Sequence, residues 1–148
     1  VPAAFIELHP GTSLTVQELH TCGVRWLAAD GNIKFHGRTK DMLKVGGENV
    51  AAAEIEAYIG THPAVKMCQV VGAPDPRLTE VPAAFIELHP GTSLTVQEVL
   101  DYCRGKISSF KVPRHVRFVT QWPMSTSKIQ KYKLRQQLET ELAAGAAA

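Results

Sequence analysis

Gly37-Arg38-Thr39-Lys40-Asp41-Met42-Leu43-Lys44-Val45-Gly46-Gly47-Glu48-Asn49-Val50 is the stretch on which the reading of this chain turns. It begins as a charged connector and passes through a double glycine. Adjacent glycines allow backbone angles that a side chain forbids, and they let another molecule approach the main chain closely. The residues after the glycines predict a helix from about Val50 to Ile59. Asn49 is its expected N-cap, and Glu54 and Glu56 fall in its early turns.

Outward from this stretch the pattern alternates strands and helices. Upstream, Arg25 to His36 predicts a hairpin, with Asp30-Gly31 as a two-residue turn and Ile33 and Phe35 alternating with polar neighbours. Downstream, Gly60 and His62-Pro63 end the helix, and Val65 to Val71 reads as a strand closed by Gly72-Ala73-Pro74-Asp75-Pro76. Val81 to Leu88 reads as the next strand. Thr95-Val96-Gln97-Glu98 is a capping box that opens a helix with Val96, Val99, Leu100, Cys103 and Ile107 on one face. Arg114 to Thr120 is a third strand. A Pro/Ser/Thr-rich loop precedes a last helix in which Leu134, Leu138 and Leu142 recur every four residues. The expected fold is α+β: a small three-stranded sheet with packed helices plus an N-terminal β-hairpin.

Val1 to Glu18 is identical, residue for residue, to Val81 to Glu98. Solenoids need about three or more copies at a regular period. Two identical copies instead fit a duplication, a recombination event or an assembly error. The second copy leads into a full helix, whereas the first meets His20-Thr21-Cys22-Gly23. Residues 1–22 are therefore expected to be a poorly anchored arm. The arm could compete for the same sheet position, a route to strand-exchanged self-association. The alanine-rich residues 143–148 are expected to be a disordered tail.

The 148 residues suit one domain with a single core, and a net charge of +2 is too weak to argue for nucleic acid or a membrane surface. Cys22, Cys68 and Cys103 form no CxxC pair, which argues against a disulfide framework or zinc site and for a reducing cytoplasm. The histidines lack metal-ligand spacing, so no metal ligand is assigned. No signal peptide or transmembrane segment is expected. The basic run Lys128, Lys131, Lys133 and Arg135 could attract phosphates, a nucleic acid or an anionic membrane. Tyr132 is its only aromatic companion, which argues against nucleic acid.

Two stretches carry a family resemblance. Gly37 to Val50 resembles the signature that opens the small C-terminal domain of the adenylate-forming (AMP-binding) enzymes. Pro123-Met124-Ser125-Thr126-Ser127-Lys128-Ile129-Gln130-Lys131-Tyr132-Lys133-Leu134-Arg135 resembles that family's closing motif, with fatty-acyl-CoA synthetase-like members most similar. With the chain between them they cover about residues 25 to 142. The resemblance implies that residues 23–142 form the mobile C-terminal, or lid, domain of an acyl-CoA synthetase.

The resemblance also implies site residues. Lys128 takes the role of the adenylation lysine, a cation placed where charge grows as a carboxylate attacks the α-phosphate of ATP. From composition alone Lys128 reads as a solvated lysine in a basic run. Pro123, Ile129, Lys131 and Leu134 in family positions reverse that reading. The chain departs from the family in having Ser127, in a shorter loop, where many members have glycine before the lysine. Lys40 occupies the hinge position, with an exposed linker lysine as the alternative. Arg38 lies on the nucleotide side. Gly46 and Gly47, with Lys44, match the loop that faces coenzyme A, the alternative being a turn before a helix.

ATP, with Mg held by another domain, and coenzyme A are the implied ligands of an intact enzyme. None is expected bound by this chain. The family's phosphate-cradling loop has no counterpart here, and Thr21-Cys22-Gly23 stands where the family carries a Thr-Gly-Asp-like motif. The expectation is a fragment of an ATP-dependent acyl-CoA ligase, inactive alone, whose partner is an N-terminal adenylation domain. A non-catalytic protein-binding module or a degenerate fragment is the alternative.

Overall fold

The computed structural model describes residues 25–27, 33–35 and 41–146. The expectations for residues 1–22, for the Asp30-Gly31 turn, and for Arg38 and Lys40 lie outside the described residues. The chain forms two compact units, residues 1–42 and 43–148. In the first, β1 (Arg25–Leu27) and β2 (Ile33–Phe35) pair antiparallel. Their register pairs Arg25 with Phe35, Trp26 with Lys34 and Leu27 with Ile33.

From residue 43 on, the second unit holds the rest of β3 (Met42–Val45), then β4 (Glu48–Ala51), α1 (Ala52–Ile59), β5 (Val65–Asp75) and β6 (Thr79–Leu88). After these come α2 (Val96–Cys103), a 3-10 turn at Ser109–Lys111 and β7 (His115–Phe118). The short β8 (Met124–Ser125) and β9 (Lys128–Ile129) lead into α3 (Lys131–Ala146). The main sheet has five strands, not three. β6 pairs antiparallel with the long β5 and with β3, parallel with β7, and β4 lies beyond β3.

The double glycine brings two corrections. Glu48–Ala51 is a strand, so Gly46-Gly47 turns a hairpin rather than opening a helix. The helix starts two residues later than expected, with Ala51 at its N-cap and no side-chain cap; Asn49 is exposed in β4 and does not cap it. Hairpin pairing with β3 holds residues 48–51 extended, which overrides the local helix signal. Likewise Gly72 to Asp75 stays in β5, because each residue has a partner on β6.

Apolar residues alternate between the faces of β5 and β6, as strand geometry requires. Cys68, Val70, Ala84 and Ile86 join Ile55 and Ile59 of α1 and Val99 and Cys103 of α2 in one core. Val71, Ala73, Val81, Ala83 and Phe85 join Leu134 and Leu138 of α3 in another. With both faces covered, β6 reads as the continuous apolar run Val81 to Ile86.

Pro82 sits in this central strand without breaking it. The position has no β7 partner, since that ladder begins at Ala83, and the Pro82 carbonyl accepts from Arg114 N at 2.8 Å. α2 starts on the expected capping box: Thr95 accepts from Glu98 N, and Glu98 accepts from Thr95 N at 2.7 Å. α3 runs to Ala146, beyond Leu142.

Candidate functional site: a clamped lysine hairpin and a glycine turn

Lys128 stands at the start of β9, opposite Ser125, and only Thr126 and Ser127 separate the two strands. Thr126 carries the turn with φ of 54°, a left-handed conformation that usually goes to glycine. The Lys128 side chain is exposed, and among the described residues it makes no ion pair or hydrogen bond. It is an exposed cation on a short hairpin.

The feet of that hairpin are fixed. Gln130 N donates to Pro123 O at 2.8 Å and closes its base. On one side Trp122 Nε1 donates to Glu87 Oε2 at 2.6 Å, while Lys66 Nζ meets Glu87 Oε1 at 2.6 Å. The hydrogen bond from Lys66, followed by that from Trp122, holds the Glu87 carboxyl below its ordinary range. On the other side Lys131 Nζ meets Glu56 Oε1 at 2.5 Å, and the same oxygen accepts from Val70 N at 2.7 Å.

Lys131 also approaches Val70 O at 3.4 Å. Both backbone groups of Val70, on a strand with no second ladder among the described residues, therefore have side-chain partners. Beneath this pair, burial and the neighbouring Glu56 raise the Cys68 thiol to about 12.

The glycine turn is built differently. Gly46 and Gly47 have φ of 58° and 91°. Two consecutive positive values are what a tight hairpin turn requires, and glycine supplies them without strain. Gly46 N donates to Leu78 O at 2.8 Å, and a Cβ at Gly46 would lie 3.1 Å from Leu78 Cδ2. A Cβ at Gly47 would meet nothing within 4 Å, so that glycine faces open space.

Glu80 anchors the neighbouring strand. Its Oε2 accepts from Lys44 N at 3.1 Å and its Oε1 pairs with Arg135 at 2.9 Å. Gly72 makes room for this carboxyl, since a Cβ there would lie 2.9 Å from Glu80 Cδ and Oε1. The Lys44 side chain is exposed.

Among the described residues, no hydrogen bond or ion pair joins Lys128 directly to the glycine turn. Of the basic run, Lys128 and Lys133 are exposed, whereas Lys131 and Arg135 hold structural carboxylates. Sequence reading did not single out Glu80, Glu87 or Trp122, and it noted Glu56 only as an early-turn acid. Their partners lie far away in the chain, 75 positions in the case of Lys131 and Glu56, so no local pattern marks them. Among the described residues, no group of three or more His, Cys, Asp or Glu side chains could hold a metal ion. Among them, too, no helix is long and apolar enough to cross a membrane.

An exposed lysine hairpin and a glycine turn sit on a small α+β domain whose sheet is covered by helices on both faces. Residues 54–128 match the family model of the AMP-binding enzyme C-terminal domain, and the chain belongs to that family. It is 47% identical over 123 residues to the Pongo abelii "Medium-chain acyl-CoA ligase ACSF2, mitochondrial", covering 82% of this chain and 20% of that protein. The crystal structure of the anthranilate CoA ligase AuaEII in complex with anthranoyl-AMP matches with a TM-score of 0.72 at 39% identity. That match covers 80% of this chain and 24% of the solved one. A Mycobacterium tuberculosis fatty acyl CoA synthetase matches with a TM-score of 0.69 at 32% identity, covering 79% and 23%. The chain thus spans about a fifth of the length of the curated relatives it matches.

Proposed function

We propose that the chain is the lid domain of an acyl-CoA synthetase and that Lys128 serves its adenylation step. In that step a carboxylate oxygen bonds to the α-phosphorus of ATP. The bond to the β-phosphate bridge breaks, and pyrophosphate leaves with the electron pair. Negative charge builds on the phosphoryl oxygens, and a preorganised ammonium group offsets it there. The observation that carries this reading is Lys128 itself: exposed, without a partner among the described residues, on a hairpin whose base is fixed.

In the second step the sulfur of coenzyme A attacks the acyl-adenylate carbonyl and AMP departs. The Gly46-Gly47 turn and the exposed Lys44 suit that step, because an open backbone with no Cβ lets a narrow thiol arm pass closely. Lys40 and Arg38 are assigned the hinge and the nucleotide side by their place in the opening motif. ATP with its magnesium, and the acid, would be held by an N-terminal partner domain, so the chain alone is expected to be inactive. The free, buried thiols of Cys68 and Cys103 support a reducing compartment. The duplicated segment provides a route to self-association by strand exchange.

The test combines this chain with the rest of the AuaEII ligase, lacking its own matching domain, and supplies anthranilate and ATP. Pyrophosphate release that needs both polypeptides and falls about 100-fold or more in Lys128→Ala is the expected result. Release unchanged by Lys128→Ala would remove Lys128 from the mechanism.

A further inference from the structure

We infer that Glu56–Lys131 and Glu87–Trp122 are two clamps that position Lys128, and that they act in the adenylation step alone. The inference rests on the role proposed for Lys128. Its physical basis is the shape of the hairpin. β8 and β9 have two residues each, too few to hold a lysine in place by their own ladder. Thr126 further burdens the turn with a left-handed conformation.

Order must come from the base, and both feet are tied to the rigid sheet. Trp122, just before Pro123, donates to Glu87 at the end of β6. Lys131, three residues after Lys128, pairs with Glu56 of α1 and reaches Val70 of β5. Each acceptor carboxylate has a second donor, Lys66 for Glu87 and Val70 N for Glu56, so neither acceptor is free to swing.

Two anchors at the base and, among the described residues, none at the tip give a side chain that is placed yet still exposed. Placement of this kind matters for a cation that must meet charge where it develops. The glycine turn is held by a different group, Leu78 O, and the strand that leads into it by Glu80 through Lys44 N. Loosening the clamps should therefore leave the thioester step untouched.

Two readouts test this. The first is amide hydrogen exchange in the full chain without any catalytic partner. Lys131→Met and Trp122→Phe are each expected to speed exchange at Gln130 N about tenfold or more, through loss of a charge-assisted hydrogen bond. Lys131→Arg should restore protection. The second adds the rest of the AuaEII ligase and measures the half-reactions separately. Lys131→Met, Glu56→Gln and Trp122→Phe are expected to lower kcat for pyrophosphate release roughly tenfold to 100-fold, with KM for ATP little changed. Thioester formation from preformed anthranoyl-AMP and coenzyme A should stay at the parent rate.

Unchanged exchange, or an equal loss in both half-reactions, would overturn the inference, because general destabilisation would then suffice. A parent mixture with no Lys128-dependent release would overturn the proposed function instead. In that case the exchange data still decide whether the clamps exist: faster exchange in the variants supports them, and unchanged exchange removes them.

Discussion

Single residues set the finest constraints. Gly72 is the site where a Cβ would strike the Glu80 carboxyl at 2.9 Å, and that carboxyl joins Lys44 N to Arg135. Gly72→Ala is expected to destabilise the domain by about 1–2 kcal/mol through loss of charge-assisted hydrogen bonds. Urea denaturation would show it as a lower midpoint at unchanged slope. The carboxyls of Asp75, Glu87 and Glu98 are all held below their ordinary range. A depressed carboxyl stabilises the fold above its unfolded value, near about 4.3 for Glu, and loses that contribution as pH falls through the lower folded value. The part of the urea midpoint's fall that these carboxyls cause should therefore appear only below about pH 5. Glu87→Gln should flatten part of that fall.

At the scale of elements, the helices differ in what holds them. α2 relies on its cap, where Thr95 and Glu98 satisfy each other's backbone donors. Thr95→Ala should cost about 1 kcal/mol, read from thermal or urea unfolding. α3 relies on burial, with Leu134 1% and Leu138 0% exposed. Leu138→Ala is expected to cost about 2–5 kcal/mol by leaving a cavity against the sheet. The capping box of α2 was legible in the sequence because four consecutive residues contain it. The start of α1 was not legible: Asn49 has the right chemistry for a cap, but the hairpin partner β3 claims it for a strand.

At the scale of the whole molecule, the chain holds a duplicate of its own central strand. The described copy, β6, is distinguished by what flanks it. Thr79 pairs with Val45, Glu80 bridges Lys44 and Arg135, and Val99 and Cys103 follow into the core. After the first copy the chain continues as Leu19-His20-Thr21-Cys22-Gly23, so neither Val99 nor Cys103 has an identical counterpart there. Deleting residues 1–18 is therefore expected to leave the unfolding midpoint unchanged, as judged by urea denaturation. Glu80→Ala in the 148-residue chain should weaken the distinction and raise the dimer fraction in light scattering. A dimer fraction unmoved by Glu80→Ala would remove Glu80 as the discriminating contact.

The sequence by itself determined what depends on neighbours along the chain. That includes the α+β class, the strand of Val81 to Leu88, the Thr95 cap and the motif containing Lys128. Tertiary structure decided what depends on residues far apart. It set five strands instead of three and made the double glycine a hairpin turn. It also sorted the basic run, because Lys131 and Arg135 meet carboxylates on distant elements while Lys128 remains exposed. Periodicity and capping act within a few residues, whereas a salt bridge is settled only once the sheet has brought its partners together.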